Sequence, residues 1–167
     1  TQEGITRGVM TLDDDSHWMA YALGLAHEAE ALGEVPVGAV IVSEGKDIGE
    51  GFNKPIASRD PTAHAEIQAI RDAGLRIGNY RLPDATLYVT LEPCTMCAGA
   101  IVHARIDRVV YGASDPKGGA CGSVFDLLPA DERFNTRVEV TAGVRAVECG
   151  TLLSRFFQRR RTEKKTS

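Results

Sequence analysis

The sequence predicts an α/β fold, a mixed sheet of about five strands lying between helices. Three observations predict it. Short β-branched runs alternate with helical stripes after an initial hairpin. The later strands are joined by segments long enough to hold helices, and parallel pairing needs such a crossover, so the third, fourth and fifth strands should be parallel neighbours. The 167 residues, 43% hydrophobic and 25% charged, suit one globular domain with a single core.

Residues 1–15 have no periodicity and read as a disordered lead. Ser16 reads as an N-cap, with Met19, Leu23, Ala26 and Ala29 on one stripe and Gly33 as the stop. Residues 37–42 form an apolar β-branched run, and after a turn at 43–46 residues 47–52 return beside it. A loop over 53–60 leads to a helix beginning near Thr62. Residues 85–91 are a strand by their Thr, Leu, Tyr and Val content, and they run directly into a helix over about 94–104. Residues 108–112 give the next strand. The connection 113–137 contains Gly118, Gly119 and Gly122, with a short helix expected around 124–128. Residues 138–141 supply the last strand, and the final helix runs over 146–161 with Cys149, Leu152, Leu153, Phe156 and Phe157 on its apolar side. The domain is therefore expected over 16–162, followed by a basic tail end at 163–167.

This layout sets His64 and the pair Cys94 and Cys97 at the starts of two successive helices. One imidazole and two thiolates make the three-ligand set of a catalytic zinc site, which keeps its fourth position for water; a structural site would be closed by a fourth ligand at finger or ribbon spacing. Helix N-termini favour thiolate over thiol and so favour ligation at neutral pH. Glu66 lies two residues beyond His64, placed to approach the water without ligating the metal. With two thiolates the formal charge of zinc and its ligands is zero, so the ion is a modest Lewis acid and a base is required. Glu66 is the carboxylate the motif supplies. His17, His27 and His103 read as ordinary surface or capping residues, and Cys121 and Cys149 as small apolar ones.

Composition narrows the class further. No apolar run reaches the ~18 residues needed to span a bilayer, and the first residues, with Asp13, Asp14 and Asp15, do not read as a secretory signal. A cytoplasmic setting follows as the expectation, in which Cys-x-x-Cys near a histidine holds metal in preference to a disulfide. The net charge of −4 argues against broad nonspecific nucleic-acid binding. Its distribution is uneven, because from Arg155 onward six basic residues face Glu163 alone, a net +5 that leaves −9 on the rest. Such an arm can contact a polyanion locally, or can simply be a solvated terminus.

His64-Ala65-Glu66 and Pro93-Cys94-Thr95-Met96-Cys97 match the H-x-E and P-C-x-x-C signature of base deaminases. The segments 34–39, 60–66, 79–82, 85–100, 108–112 and 152–157 extend the match over about 16–162, and together they resemble the bacterial tRNA adenosine deaminase family. That resemblance implies a three-layer cytidine-deaminase-like fold, one Zn2+ per chain, a homodimer, and conversion of adenosine to inosine at the wobble position of a tRNA anticodon stem-loop. By position, Asn53 and Ala65 would bind the base, Asp115 and Lys117 would lie on a loop meeting the anticodon, and Phe156, Phe157 and Arg160 would flank the RNA from the final helix. Cys121 departs from the small residue usual in the family's loop. By the same resemblance Glu66 would take the water's proton and hand it to N1 of adenine as oxygen adds at C6. Two rivals stay open: a deaminase of free bases or nucleosides, and a silent zinc-bearing RNA-binding subunit. The presence of Glu66 speaks against the second.

Overall fold

The computed structural model describes residues 12–129, 134 and 136–166. Among them the chain forms α1 (Leu12–Ala31), β1 (Gly38–Ser43), β2 (Lys46–Phe52), α2 (Pro55–Ser58), α3 (Ala65–Ile77), β3 (Ala85–Leu91), α4 (Thr95–Ala104), β4 (Arg108–Ala113), β5 (Glu139–Thr141) and α5 (Ala146–Thr166). The five strands make one sheet in the order β2-β1-β3-β4-β5. β1 is antiparallel to both β2 and β3, whereas β3, β4 and β5 are parallel, as the crossover argument requires.

Helices cover both faces. α1 and α5 lie on one, with α1 over β1 and β3 and α5 over β4; α3 lies on the other against β2 and β1, with α4 beside it. The central strands are consequently buried on both sides, and Val40, Ile41, Leu87, Tyr88, Val89, Val109 and Val110 are all 0% exposed. The approach of α3 depends on Gly51, where a Cβ would lie 2.7 Å from the Ala69 nitrogen. This closeness fixes the start of α3 over the sheet.

Three expectations are corrected. First, α1 begins at Leu12, so residues 12–15 belong to the fold; residues 1–11 fall outside the described residues. Asp15 is 1% exposed and receives Arg108 Nη1 and Nη2 at 2.8 and 2.7 Å and the Tyr88 hydroxyl at 2.9 Å. A bidentate ion pair made 93 residues away outweighs the local appearance of a polar lead. Ser16 is inside the helix, and its hydroxyl accepts from Arg145 Nε at 3.0 Å instead of capping. Second, no helix forms over 124–128; Cys121 and Asp126 form an isolated antiparallel bridge there, and the Gly122 N–H donates to the Phe125 carbonyl at 2.9 Å. Third, α5 continues to Thr166, so the expected tail end at 163–166 is helical. Arg159 pairs with Glu30 at 2.5 Å and Arg160 donates to the Gly33 carbonyl, which bind α5 to the end of α1. Lys164 and Lys165 in the last turn suit the negative end of its dipole.

Candidate metal centre

The loop before α3 and the strand-to-helix passage from β3 to α4 place the ligands. His64 is the N-cap of α3, with φ −73° and ψ 155°, and Cys94 is the N-cap of α4, with φ −80° and ψ 179°. Neither side chain makes a capping hydrogen bond. A histidine that served only as a cap would spend its side chain on the first helical amides. Here that work falls to Asn53, whose Oδ1 accepts from the Ala65 N–H at 2.8 Å, leaving the imidazole for other partners.

His64 Nδ1 lies 3.6 Å from Cys94 Sγ and 3.6 Å from Cys97 Sγ, and the three donor atoms all fall within 4.8 Å of one another. Tetrahedral zinc with ordinary Zn–N and Zn–S bond lengths demands an N···S separation of about 3.6 Å. The donor set therefore fits zinc in chemistry and in spacing.

Glu66, in the first turn of α3, is 4% exposed. Burial pushes its carboxyl up to about 7, against the opposing pull of its own backbone N–H and of His64. The sulfurs split: Cys94 is drawn down to about 4, chiefly by the hydrogen bond from Cys97, while Cys97 is pushed up because it donates that bond. The His64 ring is raised, foremost by its hydrogen bond to Cys94. Metal binding by this donor set requires both thiols to give up their protons, which the start of α4 favours.

Asn53 and Ala65 are brought to this centre. Asp115 and Lys117 sit on the loop after β4, which is tied to the start of α4 by the Ala120 N–H donating to the Pro93 carbonyl at 2.8 Å. Asp115 Oδ1 accepts from the N–H groups of Lys117 and Gly118 at 3.0 and 3.3 Å, so that oxygen shapes its own turn, and Lys117 is exposed. On α5 the Phe156 ring is buried at 6% exposure, with the Arg160 guanidinium 5.0 Å from its centroid. Phe157 is 44% exposed and meets Phe156 edge-on at 5.5 Å. Of the two rings only Phe157 can offer a face to solvent, and the exposed Arg160 donates to the Gly33 carbonyl just beyond α1.

Sequence reasoning missed two buried carboxylates, Glu34 and Glu92, at 1% and 2% exposure. Glu34 accepts from the N–H groups of Ile56 and Ala57 at 3.1 and 2.7 Å, holding α2 within the 53–60 loop that carries Asn53. Glu92 accepts from Asp115, Cys121 and Ser123. The available signal was an acid set beside a proline and an apolar run, in Glu34-Val35-Pro36-Val37 and Leu91-Glu92-Pro93.

Comparison with known proteins gives the same reading. Residues 12–113 match the cytidine and deoxycytidylate deaminase zinc-binding region. The chain is 60% identical to a tRNA-specific adenosine deaminase of Haemophilus influenzae, over 90% of this chain and 87% of that one. A solved structure from studies of A-to-I editing by tRNA:A34 deaminases at the wobble position superposes with a TM-score of 0.78 at 46% identity, covering 82% of this chain and 99% of that one. A guanine deaminase from Nitrosomonas europaea is more distant, with a TM-score of 0.69 at 26% identity over 83% of this chain and 81% of that one. On this evidence the chain belongs to the zinc-binding cytidine and deoxycytidylate deaminase family, within its tRNA-specific adenosine deaminase branch.

Proposed function

We propose that this protein hydrolytically deaminates adenosine to inosine at the wobble position of a tRNA anticodon. The observation that carries the chemistry is the zinc-spaced trio of His64, Cys94 and Cys97 with a buried Glu66 beside it. The substrate follows from likeness over nearly the whole chain to tRNA-specific adenosine deaminases. His64, Cys94 and Cys97 would hold zinc, which when bound would supply Lewis acidity to the attacking water. Glu66 removes a proton from that water as its oxygen adds to C6, and delivers the proton to N1. It then carries the second water proton to the exocyclic amine, which leaves as ammonia, so one carboxyl acts as base and acid in turn. A carboxyl whose proton affinity burial has moved to about 7 suits both roles at neutral pH.

Asn53 supports the pocket by fixing the first amide of α3, and Ala65 lines the same spot. Lys117, Phe157 and Arg160 are exposed groups that support RNA contact; Asp115 supports it through the loop it shapes. A deaminase domain over about residues 16–162, a homodimer and a cytoplasmic setting complete the reading. No described helix is long and apolar enough to cross a membrane. The test is incubation with an anticodon stem-loop bearing adenosine at the wobble position, and separately with adenosine, cytidine and guanine, followed by mass analysis of products. Inosine in the stem-loop alone is expected; turnover of the free compounds with an untouched stem-loop would transfer the assignment to the small-molecule deaminases.

A further inference from the structure

The Glu92 carboxylate takes no part in the proton transfers above, yet it is among the most heavily hydrogen-bonded side chains near the site. It follows β3 and immediately precedes Pro93 and Cys94. Oε1 accepts from the Asp115 N–H at 3.0 Å and from the Ser123 hydroxyl; Oε2 accepts from the N–H groups of Cys121 at 2.9 Å and Ser123 at 3.2 Å. Donors from both ends of the 115–123 loop thus converge on one buried carboxylate. Gly119 lies so close that a Cβ there would fall 2.3 Å from the Glu92 carboxyl carbon, so the loop is folded tightly around this group. The turn that presents Lys117 hangs from Asp115, the residue Glu92 holds.

We propose that Glu92 is a positioning residue that sets the shape of the 115–123 loop for an incoming polynucleotide, acting through Asp115 and Lys117 and touching no reacting atom. The inference rests on the tRNA reading above. A carboxylate has acceptor sites for all four donors and no proton of its own, whereas glutamine offers one acceptor oxygen and turns an NH2 toward the loop amides. Glu92→Gln therefore keeps the volume and breaks the convergence.

The experiment compares wild type, Glu92→Gln and Ser123→Ala for zinc content, for kcat and KM on a wobble-adenosine stem-loop, and for amide exchange across 115–123. The expected result is a KM raised about ten-fold by Glu92→Gln, as loss of one charge-assisted hydrogen bond implies, and about three-fold by Ser123→Ala. Zinc content and kcat should stay near wild type, with faster exchange confined to the loop. Unchanged KM and unchanged exchange would overturn the proposal. So would loss of zinc and kcat together, which would make Glu92 a support of the metal-bearing helix. If Glu92→Gln fails to fold, Ser123→Ala decides by the same two readouts. Wild-type silence on the stem-loop would refute the functional reading instead, and loop exchange would then judge Glu92 alone.

Discussion

Glu66 and Glu92 invite comparison because each stands two residues from a metal-binding position, His64 and Cys94 respectively, and each is nearly inaccessible to solvent. Their environments drive them apart. For Glu66 burial dominates and lifts the carboxyl to about 7. For Glu92 burial also acts upward, but hydrogen bonds from the Ser123 side chain and from the Asp115, Cys121 and Ser123 amides outweigh it and hold the group below the usual carboxylate range. Burial by itself therefore does not make a proton shuttle. What separates the two is the supply of donors: a carboxylate left short of them can exchange protons, and one saturated with them stays ionised and organises backbone.

Cys94 and Cys97 are placed with His64 to hold the metal, and removing one sulfur should have the largest effect on the molecule. Cys97→Ser should lose zinc and activity together and lower the melting temperature by on the order of 10 °C, equivalent to about 3 kcal/mol, since metal affinity is also folding free energy. Metal analysis and calorimetry check it, and full zinc occupancy would remove Cys97 from the ligand set. A smaller effect is expected at Glu34, the other carboxylate committed to backbone. Glu34→Gln should cost about 1–3 kcal/mol by leaving the Ile56 and Ala57 amides poorly paired, with zinc retained. Denaturant unfolding measures the loss, and none at all would mean that a single acceptor oxygen suffices.

Asp47 sharpens the same contrast away from the metal. Burial, then the hydrogen bond and charge of Glu50, push its carboxyl up to about 6, although Gly49 and Arg76 pull the other way. A folded pKa above the unfolded one means that the contribution is fully present below the unfolded value, near 4, and is lost as pH rises through about 6. Asp47→Asn should therefore stabilise the protein at pH 8 by about 1 kcal/mol, a figure reduced for solvent screening, and change little at pH 4. Melting curves at the two pH values decide it. Equal shifts at both would show that charge is not the cause.

Much of this was legible in the sequence for local reasons. β3 fell at its observed bounds because Pro83-Asp84 and Glu92-Pro93 punctuate a β-branched run. His64, Cys94 and Cys97 could be read because each lies in a short motif whose spacing is fixed by helix starts, even though the two motifs are 30 residues apart. What escaped was set at long range. Asp15 belongs to α1 because Arg108 is waiting across the sheet, and no local pattern announces that partner. The connection 113–137 reads as holding a short helix around 124–128, but the Glu92 side chain collects the Cys121 and Ser123 amides just before it and the chain turns otherwise. Glu34 and Glu92 were passed over for a related reason: an isolated acid is ordinarily at the surface, and only the converging N–H groups of a folded loop reveal the exception.

The central claim is that Glu66 moves protons and does not hold the metal. Glu66→Gln, assayed for zinc stoichiometry and stem-loop turnover on one preparation, tests it most directly. The expected result is one zinc per chain with kcat reduced by roughly 10²–10⁴-fold, the usual contribution of a general acid and base. Loss of zinc in parallel with activity, or turnover near wild type with zinc in place, would contradict it.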